Sequence, residues 1–97
     1  MERQLVILNP RAGRMQAGRR LGELLPLLES DGVIAELLET KAAGEARAAV
    51  ASRAGEFCRV VCIGGDGTLN EVLSGMLEAG QNVPIGYIAA GSTNDFA

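Results

Sequence analysis

The sequence predicts an α/β fold, a three-layer parallel sheet with the element order β-α-β-α-β-α-β. Two observations carry this prediction. Short, continuous apolar runs, which are typical of strands buried on both faces, alternate with stretches in which apolar residues recur every three or four positions, as on one face of a helix. Strands that alternate with helices are joined by right-handed crossovers, which make the strands parallel and place helices on both faces of the sheet.

The first half of the chain predicts two strands and two helices. Residues 5–8 are a buried strand that stops at an asparagine–proline turn. An amphipathic helix follows over residues 21–28, kinked or shortened by Pro26, because proline lacks the amide hydrogen that a helix interior uses. Residues 33–38 form the second strand. The alanine-rich residues 42–54 form the second helix, which ends at a glycine.

The second half of the chain repeats the pattern. Residues 59–63 form the third strand and run into a glycine-rich turn. The third helix carries its apolar stripe over residues 69–77, and Thr68 and Glu71 have the spacing of a capping box at its start. Residues 84–88 form the fourth strand, after which a polar, glycine-bearing segment resembles the opening of a further helix.

Charge excludes one class of partner and suggests another. The 97 residues carry a net charge of −3, whereas a general nucleic-acid binder needs a basic surface, so no nucleic-acid partner is expected. The charge is uneven: the first 22 residues hold five arginines against one glutamate, and the remaining residues hold four basic groups against eleven acidic ones. A basic start on an acidic chain indicates a local anion site.

The two cysteines are expected to be free and buried. If the run from Cys58 to Cys62 is extended as a strand, the two lie four residues and roughly 13 Å apart on one face, whereas a disulfide needs Cα atoms within about 7 Å. The chain has no histidine, so a zinc site is not expected. Since no secretory signal and no membrane-spanning stretch is recognisable, the sequence predicts a cytoplasmic protein.

Three polar loops with glycines follow strands of the predicted sheet, at residues 9–13, 64–68 and 91–94. In an open parallel sheet the carboxyl ends of the strands lie at one edge, where ligands bind. Glycine lets backbone N–H groups approach an anion closely, and the N-terminus of the following helix adds a positive dipole end. The three loops together therefore predict a phosphate site.

Two common phosphate-binding motifs do not fit the sequence. A Walker A loop needs a lysine that follows its glycines, and Lys41, the one lysine of the chain, is elsewhere. A dinucleotide-binding loop needs a third glycine where Asn70 stands. What distinguishes this loop is Asp66, since a carboxylate beside phosphates is repelled unless a cation lies between them. The loop therefore indicates a magnesium ion and nucleoside triphosphate chemistry.

Three ordered motifs resemble those of one enzyme family. The runs are Asn-Pro-Arg-Ala-Gly at residues 9–13, Gly-Gly-Asp-Gly-Thr-Leu-Asn-Glu-Val at residues 64–72, and Gly-Ser-Thr-Asn-Asp-Phe-Ala at residues 91–97. They are similar to motifs of lipid kinases of the diacylglycerol kinase catalytic-domain type. Sphingosine kinases are related to these enzymes, and NAD kinases and phosphofructokinases are more distant relatives. One departure is Ala89, at a position where that family usually has proline.

The resemblance implies a nucleotide site that binds ATP and Mg²⁺. The glycine-rich run would surround the phosphates, with Asp66 beside the metal ion as the metal-binding and catalytic residue. Thr40 matches a position that meets the nucleotide in the family, and an N-cap of the second helix is the alternative. Glu71 is expected to be a helix cap rather than a catalyst. The implied nucleotide-binding residues are Asn9, Gly13, Thr40, Gly64, Gly65, Asp66, Gly67, Thr68, Asn70, Gly91 and Ser92.

The resemblance also implies that residues 1–97 are an N-terminal nucleotide-binding domain. The family's C-terminal β-sandwich, which forms the lipid-binding domain and holds the general base, has no counterpart in this sequence, and the chain is expected to be inactive alone. The intact enzyme would phosphorylate a lipid hydroxyl such as that of diacylglycerol, as a peripheral protein at the inner face of the membrane. Two alternatives remain: a kinase of a sphingoid base or NAD, and a non-catalytic nucleotide-binding module. Exposed apolar surface next to the fourth strand would favour self-association, including a homodimer.

Overall fold

The computed structural model describes residues 2–9, Pro26 and residues 32–89. Pro26 is helical, within the segment for which the sequence predicts the first helix, and the rest of that segment lies outside the described residues. The same holds for the loop predicted at residues 91–94. The described elements are β1 (Arg3–Leu8), β2 (Ile34–Glu39), α1 (Glu45–Arg53), a short 3₁₀ turn (Ala54–Glu56), β3 (Arg59–Gly64), α2 (Asp66–Ala79) and β4 (Ile85–Ala89).

The four strands form one sheet in the order β2-β1-β3-β4, and every pair is parallel. The predicted α/β fold is thereby confirmed. β1 pairs with β2 on one side and with β3 on the other, so the chain changes direction across the sheet between β1 and β3. Such a switch point opens a crevice at the carboxyl ends of the two strands. Asn9, the first residue after β1, lies there and donates its backbone N–H to the Ile63 carbonyl at 3.1 Å.

Apolar residues fill both faces of the sheet, as continuous apolar runs predict for parallel strands. In β1 every residue from the second to the last is buried, and the same is true of β3. On one face the strands pack against α1 and α2; that core contains Leu5, Ile7, Val60 and Cys62 of the strands and Ala46, Val50, Val72 and Met76 of the helices. The opposite face is a second buried cluster formed by Val6, Leu8, Val61 and Ile63.

The two helices touch backbone to backbone at Gly75 of α2. A Cβ atom at Gly75 would lie 2.6 Å from the carbonyl oxygen of Arg47 and 2.9 Å from the Cβ of Val50, both in α1. Only glycine permits this approach, because real Cβ atoms do not come so close to other atoms. Arg47 also pairs with Glu78 of α2, with Nε 2.7 Å from Oε2, and this contact lowers the pKa of the Glu78 carboxyl.

At the amino-terminal edge of the sheet, four side chains from separate segments form one cluster. The guanidinium carbons of Arg3 and Arg53 each lie 5.2 Å from the centre of the Phe57 ring, within cation–π range. Glu36 of β2 accepts hydrogen bonds from both arginines. The bond from Arg53, and then that from Arg3, lower the pKa of Glu36, while partial desolvation acts in the opposite direction. The cluster joins β1, β2 and the end of α1.

Both cysteines are free, as their spacing predicts, but the expectation that both are buried is wrong for Cys58, which precedes β3 and is half-buried. Cys62 is fully buried in the core against the helices, and burial raises the pKa of its thiol to about 11. Within the described residues, no helix is long and apolar enough to cross a bilayer.

Two predicted helix starts are wrong. α2 begins at Asp66, with Gly65 in the N-cap position, so Thr68 does not cap it and the capping box does not form. Thr68 is instead buried at the end of the first turn. α1 begins at Glu45, because Gly44 has a left-handed conformation with φ of 89°, which glycine adopts without strain. Thr40 lies four residues before that N-cap, so the N-cap alternative for Thr40 is also wrong.

Candidate functional site

Side chains that follow three strands meet at the carboxyl edge of the sheet. Asn9 follows β1, Thr40 follows β2, and Gly67 and Thr68 stand in the first turn of the helix after β3. All four line one cleft of about 240 Å³. The remaining residues of its lining come from the loop before α1 and from the two helices; they are Lys41, Ala42, Ala43, Ala46 and Glu71. The structure thus brings together four residues that the sequence assigned to one site.

A single residue, Gly65, connects β3 to α2. At Gly64, the last residue of β3, a Cβ would make a tight contact with the Thr68 hydroxyl at 3.2 Å and an ordinary contact with the Asn9 Cβ at 3.5 Å. Gly65 and Gly67 differ, since a Cβ at either position would meet no atom within 4 Å. Gly65 has an extended conformation, with φ of −103°, that other residues also adopt. Neither backbone conformation nor packing within the described chain requires glycine at these two positions.

The space in front of Gly65 and Gly67 faces the N-terminus of α2. The first turn of a helix has N–H groups without intrahelical acceptors, and the dipole adds a partial positive charge. No side chain of the described residues caps this turn, and the first bond along the helix runs from the Leu69 N–H to the Gly65 carbonyl at 3.1 Å. Such a helix start, approached through two glycines, has the geometry of an anion site.

The N-terminus of α1 also faces the cleft, but it is already bonded to carboxylates. Glu45 accepts hydrogen bonds from the backbone N–H groups of Lys41 and Ala42, the latter at 3.3 Å. Glu71 of α2 accepts from the N–H groups of Gly44 at 3.1 Å and Arg47 at 3.3 Å. Glu71 therefore caps the neighbouring helix α1, whereas the sequence predicted that it caps the start of its own helix. As far as the described residues show, the start of α1 is bonded to carboxylates and that of α2 is not.

Hydrogen bonds hold the polar lining of the cleft in place. The Asn9 side-chain amide donates to the Thr68 hydroxyl at 3.4 Å, which joins the end of β1 to the first turn of α2. Thr40 donates its backbone N–H to the Leu8 carbonyl at 2.9 Å, and its hydroxyl lies 3.5 Å from the same oxygen. These contacts fix the floor of the cleft at the ends of β1 and β2.

Asp66 lies on the side of the turn that faces β4. Its side chain is exposed, and the hydroxyl of Tyr87 in β4 lies 3.5 Å from its Oδ1 and 3.2 Å from the Gly64 carbonyl oxygen. In the ranges that the structure describes, no group of three or more histidine, cysteine, aspartate or glutamate side chains is placed to hold a metal ion. A single carboxylate still fits Mg²⁺, which proteins commonly hold through one or two carboxylates together with phosphate oxygens and water.

The other residues assigned from the sequence are not part of the cleft as described. Asn70 is exposed on α2, and Gly64, Gly65 and Asp66 lie at the turn between β3 and α2; none of these four lines the cleft. Gly13, Gly91 and Ser92 lie outside the described residues. Sequence reasoning missed Lys41 and the three alanines of the lining, which come from the loop between β2 and α1 and from the first turn of α1. It also missed Tyr87, whose one sequence signal is its place in the strand that pairs with β3.

Comparison with known proteins gives one consistent result. The sequence matches the family model described as the diacylglycerol kinase catalytic domain over residues 3–97. It is 37% identical to the diacylglycerol kinase of Bacillus subtilis (100% of this chain, 32% of that protein). It is 36% identical to the sphingoid long-chain bases kinase 1 of Arabidopsis thaliana (95% of this chain, 13% of that protein). A diacylglycerol kinase crystal structure from Bacillus anthracis matches with a TM-score of 0.78 at 27% identity, over 98% of this chain and 35% of that one.

Proposed function

This chain belongs to the diacylglycerol kinase catalytic domain family, and from that premise we propose that it is the nucleotide-binding part of an ATP-dependent lipid kinase. The intact enzyme would transfer the γ-phosphoryl group of ATP to a lipid hydroxyl, such as that of diacylglycerol. The observation that carries this proposal is the open start of α2, approached through Gly65 and Gly67, whose missing side chains leave room in front of its N–H groups.

The phosphates of the nucleotide would bind at the first turn of α2. The N–H groups there have no side-chain cap, and charge-assisted hydrogen bonds from N–H groups to phosphate oxygens are short and strong. Asp66, the first residue of that turn, would hold Mg²⁺ together with the phosphate oxygens. The metal ion would neutralise charge that develops on the transferring group. Without a cation, the Asp66 carboxylate would repel the phosphates.

The cleft beside this turn would take the uncharged end of the nucleotide. Its lining combines the methyl groups of three alanines with the amide of Asn9 and the hydroxyl of Thr40, a mixture that suits a sugar and a base. The one carboxylate in the lining, Glu71, is bonded to the N–H groups of α1. Lys41, exposed in the same lining, adds one positive charge to the cleft.

The described residues bear on the nucleotide and not on the lipid acceptor. The chain spans about a third of the length of the diacylglycerol kinases that it matches, and we assign the general base and the lipid pocket to the part of such an enzyme that this sequence does not contain. The intact kinase would work at the cytoplasmic face of a membrane. A sphingoid base is the second candidate acceptor, because the identity to the Arabidopsis kinase is 36%, against 37% to the Bacillus subtilis enzyme.

Nucleotide binding by this chain tests the first half of the proposal. We expect amide NMR shifts with ATP and Mg²⁺ to be confined to residues 9, 40–46 and 64–71, within the described part of the chain. Asp66→Ala should abolish the magnesium-dependent shifts and leave the spectrum otherwise folded. Glu39→Ala, an exposed carboxylate at the same sheet edge, is the matched control and should bind as the parent chain does. A folded chain without such shifts would contradict the site assignment.

A chimaera tests whether this chain supports phosphoryl transfer to a lipid. This chain replaces the matching third of the Bacillus subtilis diacylglycerol kinase, whose remaining part supplies the lipid pocket, and phosphorylation of diacylglycerol is measured. We expect diacylglycerol to be phosphorylated, and the same chimaera with Asp66→Ala to be inactive. A folded, ATP-binding chimaera that does not phosphorylate diacylglycerol would contradict the lipid kinase assignment.

A further inference from the structure

Tyr87 of β4 contacts the start of α2 from outside the cleft. The register pairs Tyr87 with Cys62, two residues before the end of β3, so that its hydroxyl reaches past the strand end. There it lies 3.2 Å from the Gly64 carbonyl oxygen and 3.5 Å from Asp66 Oδ1. Its side chain is 39% exposed, and no function has been assigned to it above.

The phenol hydroxyl has one hydrogen for these two acceptors. It can donate to the Asp66 carboxylate or to the Gly64 carbonyl, but not to both at once. Asp66 is exposed at the first position of a helix, so its side chain can rotate among several staggered conformations. A donor that engages one carboxylate oxygen restricts that rotation and leaves the second oxygen for another ligand. A phenol is suited to this role because it is neutral and does not compete with a cation by charge.

Resting on the proposed function, we propose that Tyr87 is a positioning residue for Asp66. Its hydroxyl holds the carboxylate so that one oxygen is directed to the magnesium ion of the bound nucleotide. When the carboxylate rotates away from the metal position, the Gly64 carbonyl accepts the phenol hydrogen instead, so the hydroxyl keeps a partner in both states. Tyr87 therefore acts on magnesium affinity through Asp66 and does not itself touch the nucleotide.

A double-mutant cycle on this chain tests the inference. In Tyr87→Phe the Mg²⁺ concentration for half-maximal ATP binding should rise about three- to tenfold, the effect of losing one ordinary hydrogen bond, because this contact is long and exposed. ATP binding without Mg²⁺ should be unchanged. In the Asp66→Asn background the same substitution should change the Mg²⁺ dependence less than twofold, because coupling disappears when either partner is removed. A purely structural role of Tyr87 would lower binding equally in both backgrounds and would overturn the inference.

Fluorescence gives a readout that does not depend on ATP binding. Tyr87 is the one tyrosine of the chain, which has no tryptophan. A carboxylate that accepts a phenol hydrogen bond quenches tyrosine emission, so Asp66→Asn should increase the emission of the chain. The matched control is Glu39→Gln, at the same sheet edge but on β2, three strands away, and it should leave the emission unchanged. Equal emission from the parent chain and Asp66→Asn would overturn the contact.

The two proposals fail in different ways. If the folded parent chain shows no magnesium-dependent ATP binding, the proposed function fails, and this inference fails with it. If the parent chain binds and the Tyr87→Phe titration coincides with it, only the inference about Tyr87 fails. Leu77→Ala, which truncates the most exposed large apolar side chain among the described residues, serves as a further control for unspecific surface effects.

Discussion

Substitution of Gly67 by alanine should stabilise the fold and weaken nucleotide binding at the same time. Gly67 is the second residue of α2, and a Cβ there would meet no atom within 4 Å. Glycine within a helix is less stable than alanine by about 0.5 to 1 kcal/mol, mainly because it loses more backbone entropy on folding. Near the helix start we take the lower value of about 0.5 kcal/mol, which for a domain of this size raises the melting temperature by about 2 to 4 °C.

The same methyl group would occupy the space assigned to phosphate. One lost charge-assisted hydrogen bond is worth about 1.5 to 3 kcal/mol, so the dissociation constant for Mg·ATP should rise about tenfold to a hundredfold. Stability is measured by thermal unfolding of the unliganded chain, and affinity by calorimetric titration with Mg·ATP. If the phosphates bind elsewhere, Gly67→Ala will bind Mg·ATP with the affinity of the parent chain.

Gly80→Ala is the matched control for Gly67→Ala. A Cβ at Gly80 also meets no atom within 4 Å, but Gly80 ends α2 with φ of +66°, where any other residue is strained. It should destabilise the chain by about 1 kcal/mol and leave ATP affinity unchanged. Opposite stability changes for the two glycines, with an affinity change for Gly67 alone, would be difficult to explain by anything other than a ligand at the start of α2. If both variants stabilise the chain, or both weaken binding, the reasoning is refuted.

Three further predictions concern stability. Gly75→Ala should destabilise the chain by about 2 kcal/mol or more in urea unfolding, because its Cβ would press on the Arg47 carbonyl; an unchanged midpoint would show that the helices separate freely. Glu71→Ala should lower stability by about 1 kcal/mol through loss of the α1 cap, whereas Glu71→Gln, which keeps an acceptor oxygen, should lower it less. The pKa of Glu36 is lowered, chiefly by Arg53, so its contribution is present above the ordinary value of 4.5 and disappears as the pH falls through the lowered value. Urea midpoints of the parent chain and Glu36→Gln should therefore differ at neutral pH and converge in acid, and a constant difference would contradict this.

The sequence predicted the central strands well, because their burial is local information. β1 and β3 lie at the centre of the sheet, and their runs of valine, leucine and isoleucine are apolar on both faces. Observed and predicted strands differ there by one or two residues. The observed β2 begins and ends one residue later than predicted. It is an edge strand, and its exposed residues interrupt the apolar run on which the prediction rests.

The helix starts were predicted less well, because a capping pattern in the sequence does not show which helix N-terminus the glutamate caps. Thr68 and Glu71 have the right spacing, yet the carboxylate of Glu71 bonds across to α1 and the Thr68 hydroxyl faces Asn9. Both outcomes depend on how α1 and α2 pack against each other. The spacing of apolar residues in the sequence carries no information about that packing. For the same reason Lys41 could not be assigned to the cleft, although the loops after β1 and β3 could.

The contact at Gly75 has a consequence for the selectivity of the cleft. One wall of the cleft belongs to the loop before α1 and another to the first turn of α2, so the distance between the two helices sets how wide it opens. Glu71 joins those helices one turn from Gly75. A larger residue at position 75 would act as a spacer between them and admit bulkier molecules. The residue at position 75 would thus determine the size of ligand that the cleft accepts, although this residue does not line the cleft.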